Sequence, residues 1–228
     1  MKIGIIFAME EELNEFMDLV TISGQHQVYD LTIYDCTLND KKLALATSGV
    51  GKVNAARTTQ ILIDKENVNT IINVGVAGSL SKDVNITDIV LGEKLVQHDF
   101  DITAFGHAKG YVPNIGVYVK SDEKLLSIAE KVKTNDIVIH KGVIASGDIF
   151  CTDKTQSEKI NRDFEALCVE MEGASVAQTS FQSNIPFLVI RSISDSIDGS
   201  NNKMTHEEFL EKSSKIVADF LKELLLKY

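Results

Sequence analysis

Apolar positions along the chain gather into short runs rich in Val and Ile: KIGIIF, KLALATSGV, TIINVGVAG, DIVLGEKLV, IVIHKGVIASG and PFLVIRSIS. Runs of this length with β-branched residues read as strands buried on both faces. Helical spacing separates several of them. Residues Lys52 to Lys65 carry Val53, Ala56, Ile61 and Ile63 around Ala55, and Ser121 to Lys133 set Leu125, Leu126, Ile128, Ala129 and Val132 on one face behind Ser121 as N-cap. The last helix opens with Thr205 and Glu208 in capping-box spacing and runs into ADFLKELLLKY. Between Val28 and Leu45 the pattern changes to apolar–polar alternation about NDKK, the mark of an antiparallel hairpin.

Alternating strands and helices with one hairpin imply an α/β protein: a three-layer α/β/α sandwich with a mixed central sheet. No proline-rich linker or repeat divides the chain, which has two prolines, so residues 1–228 are expected to form a single domain. A formal charge of −10 opposes a nucleic-acid partner, because phosphate backbones are gripped by clustered Lys and Arg. No run approaches the roughly eighteen apolar residues of a membrane span. The opening MKIGIIFAMEEE lacks a signal-peptide cleavage region, so a cytoplasmic location is expected. Cys36, Cys151 and Cys168 have neither disulfide-framework nor zinc spacing.

Several strand ends carry candidate chemistry. In FAMEEEL, the three glutamates Glu10, Glu11 and Glu12 suit the positive end of a helix. The same position, at the carboxyl end of the first strand, is where open α/β sheets bind ligands. SGVGKVNAA resembles a phosphate loop but has Ala46 and Val53 where that pattern needs glycine and a hydroxyl. In NVGVAGSL, Gly75 and Gly78 permit close backbone approach to a small molecule. HDFDITAFG groups His98, Asp99 and Asp101, yet no second histidine stands at ligand spacing, and the reading is no metal. VEMEGASVA places Glu170 and Glu172 two apart at a strand–helix junction, either as helix-terminal charge or as acceptors for vicinal hydroxyls. RSISDS ends the most apolar run with Arg191 and Asp195; a buried carboxyl there suits a general acid.

Taken in order, IGII-AMEEE, SGVGKVNAA, NVGVAGSL, DITAFG, ASGDIF, VEME and RSISD resemble the 5′-methylthioadenosine/S-adenosylhomocysteine nucleosidases of the nucleoside phosphorylase superfamily over nearly the whole chain. The resemblance implies a homodimer that hydrolyses a purine–ribose bond without metal or cofactor. It also implies roles. Glu12 activates the attacking water, and Asp195, oriented by Ser194, protonates the purine N7. Glu172 binds the ribose hydroxyls, Met171 flanks the sugar, and Arg191 holds the water network. Phe150 stacks on the purine, with the Cys151 backbone reading its edge, while Met9, Val50 and Gly78 line the ribose region. Ile102 and Phe105 close the thioalkyl end of the partner subunit's pocket.

The chain departs from that family's pattern at Phe7, where glycine is usual, at Val76 for serine, at Gly173 for alanine and at His206 for a phenylalanine over the 5′ substituent. A polar His206 lid keeps adenosine or futalosine open as substrates. Phosphorylases of the superfamily carry a GDP-x-R stretch at the first strand end, where this chain has AMEEE, whose carboxylates repel phosphate. A ligand-binding protein without catalysis would be marked by a missing acid, and Glu12, Glu172 and Asp195 are all present.

Overall fold

The computed structural model describes residues 1–134, 137–196 and 206–228, apart from the side chains of Ser196, His206 and Glu207. The apolar runs become β1 (Lys2–Phe7), β4 (Lys41–Thr47), β5 (Thr70–Ser79), β6 (Ile89–Gln97), β8 (Ile139–Ser146) and β10 (Phe187–Ser196). In the order β4, β1, β5 and β10 these strands run parallel to one another, whereas β6 pairs antiparallel with β10. Side chains alternate between two apolar layers: on β5, Ile72 and Val74 face α1 (Glu10–Met17), α3 (Glu123–Ala129) and α6 (His206–Lys227). Ile71 and Ala77 face α2 (Lys52–Glu66) and α5 (Gly173–Gln182). The sheet is mixed, with helices on both sides.

The expected hairpin forms between β3 (Leu31–Leu38) and β4, turning at Asn39 with φ 54°. It is extended by β2 (Thr21–Val28), an edge strand that the alternation after Val28 did not announce. Nearly all of β2 is exposed, so burial leaves no hydrophobic signature on it. A second correction concerns α3. Its N-cap is Asp122, whose carboxylate accepts the Leu125 N–H at 2.9 Å, whereas the Ser121 hydroxyl donates to the Gly92 carbonyl at 2.6 Å. The polar helix α4 (Lys154–Phe164) also escaped the apolar pattern, since it buries only Ser157, Ile160 and Phe164. Thr205, the expected cap of α6, lies outside the described residues.

One feature exceeds a plain sandwich. β10 pairs with β5 on one edge and β6 on the other, and β8 and β9 (Ala166–Glu170) complete the circuit, so part of the sheet closes on itself. Three register shifts accompany the closure, at Gly92/Lys94, Val143/Ile144 and Ile193/Asp195. Bulges bend strands and increase twist, which curls a sheet and re-aims side chains at its rim. The last of these shifts carries Ser194 and Asp195.

Candidate active site

The carboxyl ends of β1, β4, β5, β8, β9 and β10 meet around one cavity. Its wall contains Met9, Glu12, Val50, Gly78, Phe150, Cys151, Met171, Glu172, Ser194 and Asp195, all singled out from the sequence, together with Ala8, Val76, Ala77, Ile149, Val169, Glu170 and Leu210. Lysine, arginine and histidine do not occur in this wall among the described residues.

Glu12 serves two purposes at once. As third residue of α1 it reaches back, and its Oε2 accepts the N–H groups of Met9 at 3.1 Å and Ala8 at 2.9 Å, satisfying donors that a helix start leaves open. Its Oε1 accepts the Val76 N–H of β5 at 3.0 Å. Glu10 and Glu11 are exposed, whereas Glu12 is 2% exposed. Burial raises its carboxyl above the ordinary range, although the Arg191 charge and the three N–H groups oppose the shift. The approach to β5 requires glycine: a Cβ on Gly75 would stand 2.7 Å from Glu12 Oε1.

Asp195 meets the same strand three residues further on. A Cβ on Gly78 would lie 2.9 Å from Asp195 Oδ2. Since β5 itself runs without a bulge through its pairing with β10, the missing side chains of Gly75 and Gly78 would point to opposite faces, and the two acids approach the strand from opposite sides. Ser194 Oγ donates to Asp195 Oδ1 at 2.8 Å, and Oδ2 is the oxygen nearer Gly78.

Below the cavity lies a charge cluster. Arg191 is 1% exposed; its Nη2 donates to Glu170 Oε2 and, at 2.6 Å, to Asn73 Oδ1, while Nη1 donates to the Ile190 carbonyl at 3.0 Å. Its Nε has no partner among the described residues. The guanidinium therefore sits beneath the wall and not in it. Glu170 also accepts the Ser146 hydroxyl and the Gly173 N–H, the latter at 2.7 Å, which fixes the start of α5. Glu172 Oε1 accepts the Gly51 N–H at 2.7 Å. Burial first, and the Glu170 charge second, push Glu172 up to about 7, against Arg191 and the Gly51 amide. Gly51, with φ 102°, and Gly49, with φ 79°, hold a loop conformation that L side chains avoid, so the glycines of SGVGK shape the loop that delivers this amide.

The departures have local reasons. Phe7 is fully buried and packs on Phe16 with ring centroids 5.9 Å apart, filling the layer under α1. Val76 supplies an N–H to Glu12 and an apolar side chain to the wall. At Gly173 a Cβ would meet Val189 Cγ1 at 2.9 Å and Glu170 Oε2 at 3.1 Å. Ile102 and Phe105 lie outside this chain's own cavity, with Phe105, in the short 3₁₀ turn Thr103–Phe105, 81% exposed. The His206 side chain lies outside the described residues. His98 is buried under Gly147, and burial lowers its pKa; Asp101 accepts the Thr103 N–H at 2.8 Å. No His/Cys/Asp/Glu group suited to a metal ion occurs among the described residues.

Sequence reading passed over Asn73, whose Nδ2 donates to the Ile6 carbonyl at 3.0 Å while Oδ1 holds Arg191. A lone amide inside the apolar run TIINVGVAG was the available signal, because a buried amide needs partners. Ser146 and Leu210 offered none.

The chain matches the sequence profile described as the phosphorylase superfamily over residues 2–226, and it belongs to that superfamily. Among its relatives is an Exiguobacterium 5′-methylthioadenosine/S-adenosylhomocysteine nucleosidase, 40% identical over 94% of this chain and 93% of its own. A Helicobacter pylori aminodeoxyfutalosine nucleosidase is 38% identical over 98% of this chain and 97% of its own. The crystal structure of the 5′-methylthioadenosine/S-adenosylhomocysteine nucleosidase from Helicobacter pylori with butyl-thio-DADMe-Immucillin-A superposes with a TM-score of 0.93 at 36% identity, covering 100% of this chain and 98% of that one. Within the superfamily, the chain is thus a member of the 5′-methylthioadenosine/S-adenosylhomocysteine nucleosidase family.

Proposed function

We propose that this protein is a purine nucleosidase that hydrolyses the N-glycosidic bond of 5′-methylthioadenosine and S-adenosylhomocysteine, releasing adenine and the thioribose product. The observation that carries the reading is the pair of acids on opposite sides of β5, Glu12 on three N–H groups and Asp195 on a bulge, around a cavity without a cationic side chain among the described residues. Cleavage builds positive charge on the ribose and negative charge on the departing base. Glu12 polarises the attacking water and takes its proton. Asp195 delivers a proton to N7 of the purine from Oδ2, while Ser194 holds Oδ1. Glu172 accepts hydrogen bonds from the ribose hydroxyls and Met171 packs on the sugar, with Met9, Val50 and Gly78 around it. Phe150 and Cys151 take the base, and Arg191 steadies the acids from below.

A phosphate nucleophile finds no counter-charge among the described residues of that wall, and the carboxylates repel it, so hydrolysis is favoured over phosphorolysis. The exposed side chains of Val50, Ile149, Phe150 and Phe105 support a homodimer in which Ile102 and Phe105 finish the partner's thioalkyl pocket. The chain works as one domain, in the cytoplasm, in methionine salvage. A second reading, hydrolysis of aminodeoxyfutalosine, is favoured by the Helicobacter relative and by the polar residue His206 at the expected 5′ lid.

Base release from methylthioadenosine, S-adenosylhomocysteine, aminodeoxyfutalosine, adenosine and inosine, with and without phosphate, tests this directly. Phosphate-independent adenine release from the thio-nucleosides is expected. Strict phosphate dependence would sink the role given to Glu12, and hydrolysis confined to aminodeoxyfutalosine would establish the second reading.

A further inference from the structure

Lys52 of SGVGK and Asp99 of HDFD, neither of them in the cavity wall, meet in space. Lys52, first residue of α2, points away from the cavity and donates from Nζ to Asp99 Oδ1 at 2.6 Å and to Gln97 Oε1 at 3.1 Å. Asp99 Oδ2 accepts the Asp148 N–H at 2.9 Å, and Asp148 Oδ1 accepts the Lys52 N–H at 2.8 Å. The ring of contacts joins the loop before α2, the end of β6 and the loop after β8. Gln97 extends it to α5, donating to Gln178 Oε1 at 2.7 Å. The Lys52 and Asp99 side chains are each 17% exposed, so this ion pair is shielded from solvent more than a surface pair is. Burial would raise the Asp99 carboxyl, but the Lys52 ammonium and the Asp148 amide hold it below its ordinary value.

Both loops so joined deliver parts of the cavity. The first supplies Val50 and the Gly51 N–H that Glu172 accepts; the second supplies Ile149, Phe150 and Cys151. They touch where Asp148 Oδ1 lies 3.1 Å from the position of a Cβ on Gly51. Lys52, Gln97, Asp99 and Asp148 themselves stay out of the wall.

We propose that Lys52 and Asp99 are positioning residues, a clasp that sets the Gly51 amide on Glu172 and seats the loop after β8 over the base end of the cavity. The kinetic consequences rest on the nucleosidase reading; the clasp itself does not. Glu172 faces Glu170, Glu12 and Arg191 as well as the Gly51 amide, and of these only the amide depends on the clasp. Losing a donor to a carboxylate raises its pKa, so the pH at which Glu172 becomes an acceptor for ribose moves upward.

The test compares Lys52→Met, Asp99→Asn, the double variant and Lys52→Arg, each as the full chain, by adenine release against pH and by hydrogen–deuterium exchange. Expected for either single variant is a loss in kcat/KM of roughly ten- to hundredfold, since small misplacements of site groups have effects of that size. The acid limb of the profile should move to higher pH, and amides at Gly51–Lys52 and in residues 147–151 should exchange faster while β1 and β5 do not. The double variant should be no worse than the poorer single one, as for residues acting as a unit, and Lys52→Arg should recover part of the loss. Single variants within about twofold of the parent, or losses with an unmoved acid limb and unchanged exchange in both loops, would overturn the clasp. Should the parent chain release no base from any nucleoside, the nucleosidase reading falls, and faster or unchanged exchange in the two loops still decides for or against the clasp.

Discussion

Two clusters of charge stand at opposite fates in this molecule. Near the end of α2, Lys2 binds Asp35 at 3.0 Å and Glu66 at 2.7 Å, and His26 bridges the same two acids at 3.0 and 2.9 Å. Two acids face two bases there, and the outer groups reach water. At the cavity wall, Glu12, Glu170 and Glu172 share the single guanidinium of Arg191 beneath them, with all four nearly out of solvent. The first cluster settles its charges, so Glu66 stays below its ordinary pKa: burial would raise it, but Lys2 and His26 outweigh that. In the second, burial raises Glu12 against the pull of Arg191, and burial followed by the Glu170 charge raises Glu172. Desolvated acids that share too few counter-charges mark where the proposed chemistry resides.

The comparison breaks most sharply at the two acids proposed to act. Asp195→Asn and Glu12→Gln should each lower adenine release by roughly 10³- to 10⁴-fold, with circular dichroism and hydrodynamic size unchanged. Near-parent turnover in either variant would remove its assigned role. Arg191→Met should come next, losing about 3–5 kcal/mol in denaturant unfolding, because Glu170 would remain buried without its partner. A loss no larger than that of Lys2→Met would erase the distinction between the clusters.

Glu172 gives a prediction of opposite sign. Its carboxyl, raised to about 7, keeps its proton in the folded state over a range in which the unfolded chain has released it. Between the ordinary glutamate range and pH 7 the folded state therefore binds more protons, and stability falls as pH rises. Glu172→Gln should abolish that fall and, at pH 8, be more stable than the parent by on the order of 2 kcal/mol, while binding ribose poorly. Stability curves of parent and variant that run parallel from pH 5 to 8 would refute the shift.

The smallest effect is expected at His26. Glu66 above all, and then Asp35, outweigh the opposing effect of its slight burial and raise its pKa, so its contribution is complete below the ordinary histidine range and fades as pH rises through the raised value. Its side chain is 40% exposed, and water screens the pair. His26→Ala should lose at most about 0.5 kcal/mol at pH 5.5 and nothing measurable at pH 9. A loss of several kcal/mol would place a second unbalanced cluster on the surface.

These clusters also show what could be read in advance. Glu12, Glu172 and Asp195 stood out because each ends an apolar run, where a charge needs a reason, and the family resemblance supplied one. Glu170 and Arg191 stood out equally, yet nothing local revealed that they pair with each other or that Arg191 also donates to Asn73. Lys52 was legible only as a failed phosphate loop and Asp99 only as an unconvincing ligand, since their meaning is their 2.6 Å separation across 47 positions. β2 and α4 were missed for a different reason: they bury too few apolar residues to print a period on the chain.

The sequence by itself determined the strands and helices of the core, the mixed α/β class and the residue types at the strand ends. Burial on one or both faces of an element forces a period of two, of 3.6 or a continuous apolar run, and such patterns are local. The tertiary structure alone decided that the sheet closes through β10, that a bulge turns Asp195 toward Gly78, and that Glu12 rather than Glu10 or Glu11 is desolvated. Those outcomes depend on which distant groups exclude water from a carboxylate and which donors reach it. Desolvation and Coulomb energy are properties of position in space, and no spacing along the chain encodes them.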